Sequence, residues 1–141
     1  MLHFSYQSVA DLILFFFLIR PDALFLCYVN ASMIMYFPIV MGKPIDEFTR
    51  CVHYHSDNDI IAIRFKCCDQ YYPCFSCHEE TADHASLVWP KKEYDTRAIL
   101  CGRCKHELTI HEYLNAGDQC PNCAALFNPN CSLHYPLYFE Q

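Results

Sequence analysis

The chain has 141 residues and a formal net charge of −6. This length suits one domain, and the acidic balance disfavours nucleic acid as a partner, because nucleic-acid footprints are usually basic. Three glycines in all make a phosphate-cradling loop hard to build. Eleven cysteines and eight histidines indicate that metal ions or cross-links stabilise the fold in place of a large apolar core.

Composition divides the chain into an apolar extension, residues 1–42, and a domain, residues 43–141, which holds ten of the eleven cysteines. Residues 23–42 carry no charge and are long enough to span a bilayer. However, sequence typical of a soluble protein begins at Met41. We therefore expect the extension to be a gene-prediction artefact or a disordered segment, and consider a membrane anchor or a cleaved targeting segment as the less favoured alternatives. Cys27 has no partner at ligand spacing and is interpreted as an apolar residue.

Two short strands are predicted at the start and in the middle of the domain. Residues 59–65 are rich in isoleucine and follow a Ser-Asp-Asn turn, which is typical of a strand. Residues 96–100 predict a second strand that leads into Cys101. Each strand precedes a pair of cysteines, and a tight turn at a strand end can present two thiolates to one ion.

A helix and a final strand are predicted towards the C-terminus. Thr109 and Glu112 have the spacing of a capping box, and Gly117 is expected to end the short helix that begins there. Large apolar residues alternate in residues 133–139, which predicts a last strand packed back on the metal cluster.

Twelve potential metal ligands lie between residues 51 and 123, enough for three tetrahedral zinc sites with none left over. They are Cys51, His53, Cys67, Cys68, Cys74, Cys77, His78, His84, Cys101, Cys104, Cys120 and Cys123. The odd number of cysteines, the interleaved histidines and the lack of a convincing signal peptide favour metal over disulfides. Binding three zinc ions through nine thiolates would bring the net charge to about −9.

Spacing determines the ligand set of one site and leaves two arrangements open for the others. Cys101, Cys104, Cys120 and Cys123 form two C-x-x-C pairs with fifteen residues between them, which fits the four-cysteine zinc pattern. In one arrangement of the upstream eight, the first ion takes Cys51, His53, Cys74 and Cys77, and the second takes Cys67, Cys68, His78 and His84. In the other, the adjacent pairs Cys67-Cys68 and Cys77-His78 are each split between two ions.

Other polar residues are interpreted as non-ligands. His55, His106 and His111 are expected on the surface, Cys131 and His134 as packing beside the metals rather than a fourth site, and Glu79, Glu80, Asp57 and Asp59 as solvated carboxylates. A closed four-ligand site leaves no position for a reactive water. We therefore expect no enzymatic activity.

The order of these motifs, beginning with Cys51-Val52-His53-Tyr54, resembles the CHY-type zinc finger over roughly residues 45–140. The resemblance implies that three zinc ions bind through residues matching the twelve above. It is closest to the stand-alone members of that family, which are small bacterial proteins and the fungal helper of Tim protein. The fungal helper is associated with keeping an oxidative import receptor of the mitochondrial intermembrane space free of zinc.

These interpretations predict a small zinc-stabilised α+β fold. Short β-hairpins and a short helix surround three tetrahedral zinc sites, and the C-terminal half resembles a zinc ribbon. We expect a cytoplasmic zinc-binding module that interacts with a protein partner, and with a membrane only if residues 23–42 span one. The alternatives are a zinc or thiol exchange helper of oxidative protein assembly, in the intermembrane space if the source is fungal, and a C-x-x-C oxidoreductase.

Overall fold

A computed structural model describes residues 37–141. The predictions made for residues 1–36, including the interpretation of the extension and of Cys27, lie outside the described residues. In residues 37–141 there is no helix with the length and apolar character needed to cross a membrane.

An antiparallel four-stranded sheet forms the centre of the domain. Its strands, in chain order, are β1 (Ile61–Arg64), β2 (Tyr71–Tyr72), β3 (Arg97–Cys101) and β4 (Glu107–Thr109), and their order across the sheet is β2-β1-β3-β4. β1 pairs with β2 in one hairpin, β3 with β4 in a second, and β1 with β3 between them. The two strands predicted from the sequence are therefore confirmed, and they are the two central ones.

The two faces of the sheet bury different residues, because successive side chains in a strand point to opposite sides. Ile61 and Ile63 belong to the main core, which contains most of the buried aromatic and aliphatic side chains. On the other face Ala62 packs with Leu100 in a smaller cluster, which Val40 covers. Val40 also forms a bridge with β2, so the segment just before the metal region adds to the sheet edge.

Two short helices flank the sheet. α1 (Phe75–Thr81) follows β2 and was not predicted from the sequence. α2 (Ile110–Leu114) is the predicted helix, and its capping box is formed in both directions. The N–H of Glu112 donates to Thr109 Oγ1 at 3.0 Å, and the N–H of Thr109 donates to a Glu112 carboxylate oxygen at 2.8 Å. Gly117, in the left-handed region with φ of 61°, follows the end of α2.

The predicted final strand is wrong, because residues Pro129–Leu137 form a 3₁₀ helix. Asn128 starts it by accepting a hydrogen bond from the N–H of Asn130 at 3.0 Å, and proline suits the first helical position. The tail does pack on the core, as expected. Phe139 is fully buried, and the N–H of Phe75 donates to the Tyr138 hydroxyl at 2.7 Å.

Candidate metal centres

The twelve predicted ligands lie in three groups of four, and within each group one ligand atom per residue lies within 4.8 Å of the others. We call them the first centre (Cys51, His53, Cys74, Cys77), the second centre (Cys67, Cys68, His78, His84) and the third centre (Cys101, Cys104, Cys120, Cys123). Of the two arrangements left open for the upstream eight, the structure has the first.

The donor atoms are spaced as zinc requires. Tetrahedral zinc with Zn–S bonds of about 2.3 Å places two sulfurs about 3.8 Å apart. The sulfurs of Cys51 and Cys74 are 3.7 Å apart, those of Cys67 and Cys68 are 3.9 Å apart, and two sulfur pairs in the third centre are each 3.8 Å apart. A disulfide would need about 2.05 Å. All three donor sets therefore fit a four-coordinate zinc ion.

The third centre is built from two similar turns. The first begins where β3 ends, at Cys101, and the second begins at Cys120. In each turn the residue after the second cysteine, Lys105 or Ala124, is in the left-handed region, with φ of 61° or 60°. Its N–H donates to the carbonyl of the first cysteine, at 2.8 Å and 2.9 Å. The same left-handed geometry follows the cysteine pair of the second centre, at Asp69 with φ of 61°.

Hydrogen-bond donors favour the thiolate form in the third centre. Burial alone would raise the pKa of Cys104, but the side-chain amide of Asn122, the N–H of His106 and neighbouring thiols lower this pKa to about 7. Asn122 Nδ2 lies 3.4 Å from the Cys104 sulfur. By contrast, burial raises the pKa of Cys101. The group can therefore supply thiolate character at one sulfur before a metal arrives.

The first centre lies at the start of α1. Cys74 is the N-cap of this helix, and the N–H of Cys77 donates to its sulfur at 3.3 Å. His53 turns Nδ1 towards the thiols and lies 3.5 Å from both Cys74 and Cys77 sulfurs. The contact with the Cys74 sulfur lowers the pKa of Cys51 to about 5. All three thiols of this centre are buried.

The second centre combines a turn, a helix and a loop. Its two cysteines lie between β1 and β2, His78 lies in α1, and His84 lies in the loop after α1. His78 is fully buried and stacks on Phe65 with ring centroids 4.2 Å apart. Its Nε2 lies 3.2 Å from the sulfur of Cys67 and 3.3 Å from Nε2 of His84. α1 therefore supplies Cys77 to the first centre and His78 to the second.

A carboxylate lies beside the outward ring nitrogen of each of the three histidines. The pairs are His53 Nε2 with Glu80 Oε1 at 2.9 Å, His84 Nδ1 with Asp83 Oδ1 at 2.9 Å, and His78 Nδ1 with Glu79 Oε1 at 3.4 Å. Glu79 and Glu80 were expected from the sequence to be solvated carboxylates, and these contacts were not predicted. The adjacency of Glu79 to His78 was an available signal, whereas no local pattern places Glu80 beside His53, 27 positions away.

The remaining candidates lie outside the three groups. Cys131 and His134 line a cavity of about 130 Å³ under the tail, which also touches Cys74. Burial raises the pKa of the Cys131 thiol to about 11, so this thiol is protonated at neutral pH. Its environment suits packing, as expected from the sequence.

Comparison with known proteins identifies the family. The CHY zinc finger family matches residues 51–129, a range that contains all three centres. This chain belongs to the CHY zinc finger family. With three groups of donors spaced for tetrahedral coordination, this CHY zinc finger protein binds about three zinc ions.

Fungal proteins are similar to this CHY zinc finger protein over most of their length. Helper of Tim protein 13 of Saccharomyces cerevisiae is 49% identical over 109 residues, which cover 72% of this chain and 90% of the relative. Helper of Tim protein 13 of Kluyveromyces lactis is 42% identical over 100 residues, covering 71% and 87%. An uncharacterised protein of Schizosaccharomyces pombe is 43% identical over 101 residues, covering 72% and 88%.

Proposed function

We propose that this protein is a zinc-organised interaction module that assists a protein partner, and that its second centre exchanges zinc with that partner. Two fungal relatives bear the name helper of Tim protein, which supports a helper role and a Tim protein as the partner. The observation that carries the exchange step is the unequal burial of the three centres.

The first and third centres are more buried than the second. Cys51, Cys74 and Cys77 are at most 5% exposed, and Cys101 and Cys120 are at most 1% exposed, whereas Cys104 and Cys123 are partly exposed. Zinc binding to such donors contributes about 10 kcal/mol or more per site, whereas a whole domain has a free energy of unfolding of about 5–15 kcal/mol. Loss of either ion would therefore remove much of the stability of the fold.

One ligand of the second centre, His84, is exposed to solvent. The His84 side chain is 36% exposed, and residues 82–88 around it form neither helix nor strand. The two cysteines of this centre are partly exposed as well. A thiolate or imidazole from a partner could replace His84 at the zinc ion without opening the core, since no strand or buried helix moves with this residue.

We also propose a location in the mitochondrial intermembrane space and a non-enzymatic role. A Tim protein as partner favours the mitochondrial intermembrane space over the cytoplasm. Four protein ligands per ion leave no coordination position for a reactive water, which supports a non-enzymatic role. The C-x-x-C oxidoreductase alternative is less favoured, because every thiol of the three centres lies in a group of four thiol or imidazole donors spaced for a metal ion.

A stepwise chelator titration followed by native mass spectrometry tests the exchange step. We expect one ion to leave well before the other two, and the far-ultraviolet circular dichroism spectrum to persist after its loss. Simultaneous release of all three ions at one slow rate would contradict exchange and leave only the structural role.

A binding measurement tests the helper role. The zinc-loaded full chain is titrated with a purified fungal Tim protein in a calorimeter, and the zinc-free chain serves as the control. We expect saturable binding of the loaded chain. Equal signals from loaded and zinc-free chains, or no signal from either, would refute the Tim partner.

A further inference from the structure

The acidic side chains of α1 and the loop after it occupy positions with a shared geometry. Each contacts a histidine of a metal centre through the ring nitrogen that faces away from the thiols. Nδ1 of His53 faces the thiols and its Nε2 faces Glu80. In His84 the roles are reversed, since Nε2 faces the metal centre and Nδ1 faces Asp83. The two histidines therefore face their metal centres with different ring nitrogens, and in both the carboxylate contacts the nitrogen that faces away from the centre.

This geometry has a chemical consequence. A neutral imidazole that binds a metal through one nitrogen carries its proton on the other, and a hydrogen bond from that N–H to a carboxylate fixes the tautomer and the ring orientation. We propose that Glu80, Asp83 and Glu79 are positioning residues, which orient the three ligand histidines of the first and second centres and strengthen zinc binding there. The third centre, with four cysteines, has no need of them.

Glu80 has the most developed contacts of the three. One of its carboxylate oxygens accepts from His53, and the other accepts from Lys43. Lys43 belongs to the segment that pairs with Val52 through a backbone hydrogen bond of 3.3 Å. The carboxylate is thus held from two sides, and its distance to the ring nitrogen, 2.9 Å, is that of a good hydrogen bond. Glu79, at 3.4 Å from His78, makes a weaker contact.

The helix connects the two centres. α1 contains a ligand of each centre and one positioning carboxylate for each, Glu80 for the first and Glu79 for the second. One seven-residue helix carries all four groups, so the position of this helix sets both contacts. The positioning effect is therefore confined to the α1 side of the molecule.

The decisive comparison uses the full zinc-loaded chain and the variants Glu80→Leu and Glu47→Leu. Glu80 is about half exposed, with a side-chain exposure of 43%, so leucine there is tolerated by the helix. Glu47 is an exposed carboxylate outside all three groups, and its replacement removes the same charge. We expect zinc to leave the first centre about 10- to 100-fold faster in Glu80→Leu than in the wild type, and at the wild-type rate in Glu47→Leu.

Nuclear magnetic resonance of the imidazole N–H protons supplies a readout that a merely structural role would not move. In the wild type, the Nε2 proton of His53 should be protected from exchange with water by Glu80. In Glu80→Leu this signal should disappear while those of His78 and His84 remain. Equal zinc release from Glu80→Leu and Glu47→Leu, or a persistent His53 signal, would overturn the proposal.

A second variant separates the histidine contact from the lysine contact. Lys43→Gln removes the ion pair of Glu80 but leaves the carboxylate beside His53. We expect unchanged zinc release and an unchanged His53 N–H signal. Faster release in Lys43→Gln, equal to that of Glu80→Leu, would show that Glu80 acts through the N-terminal segment and would refute its role at the histidine.

Discussion

The second and third centres differ in the number and kind of structural elements that supply their ligands. The third centre is built from two turns of one kind, each of which delivers two thiols from adjacent backbone. The second centre takes two thiols from a hairpin turn, one imidazole from α1 and one from the loop after it. A centre made of two turns requires only that those turns be brought together, whereas a centre assembled from three elements responds to movement in any of them.

The largest effect is expected from a ligand of the third centre. Cys101→Ala should greatly weaken zinc binding at that centre, since only three of the four thiolates that close a structural site remain. The loss of about 10 kcal/mol or more should unfold β3, β4 and α2. Circular dichroism and the zinc content of the purified variant check this, and an unchanged spectrum with about three ions per chain would contradict it.

A smaller and more local effect is expected from the exposed ligand of the second centre. His84→Ala should weaken zinc binding there by more than about 100-fold. Loss of a residue that only hydrogen-bonds to a metal ligand already lowers metal affinity about 10- to 100-fold, and His84 is itself a ligand. The first and third centres should keep their ions, so that native mass spectrometry finds two. His111→Ala, at an exposed histidine of α2, is the matched control and should keep all three. Loss of the third-centre ion in His84→Ala would mean that the centres are not separable.

The turn of the third centre can be tested without touching a ligand. A Cβ at Gly102 would lie 1.9 Å from the carbonyl oxygen of Phe48 and 2.7 Å from Thr49 Oγ1. Gly102→Ala should therefore lower the free energy of unfolding by about 1–3 kcal/mol or more, as overpacking does. Gly117→Ala is the comparison, because a Cβ there meets no atom within 4 Å and the cost is about 1 kcal/mol for its left-handed backbone. Urea unfolding of the zinc-loaded variants measures both, and equal values would argue against the contact with Phe48.

The smallest expected effect is a stabilisation. Ala124 is exposed and has φ of 60°, a conformation that glycine adopts more readily. Ala124→Gly should raise the free energy of unfolding by roughly 0.5–1 kcal/mol. Asp69→Gly, at the matching position beside the second centre, should gain less, because aspartate tolerates this region and Asp69 also pairs with Arg64. Thermal melting of the two zinc-loaded variants compares the turns, and a larger gain at Asp69 would reverse this order.

Patterns confined to a few residues were predicted well from the sequence. The isoleucine-rich segment became β1, and the Thr109–Glu112 capping box starts α2. The tail was mispredicted because alternation of large residues was given more weight than the helix-start signal of Asn128 and Pro129. α1 was missed because it is short and most of its residues are ligands or acids, so it shows no apolar periodicity.

By itself, the sequence determined which residues could bind metal, the four-cysteine set of the third centre and the CHY zinc finger family, since these depend on short spacings between ligands and on the order of motifs. Only the tertiary structure decided how the upstream eight ligands divide, because α1 places Cys77 and His78, neighbours in the chain, towards two different centres. It also decided which carboxylates meet the ligand histidines. Glu80 reaches His53 across 27 positions of sequence, and chain folding alone creates such a contact.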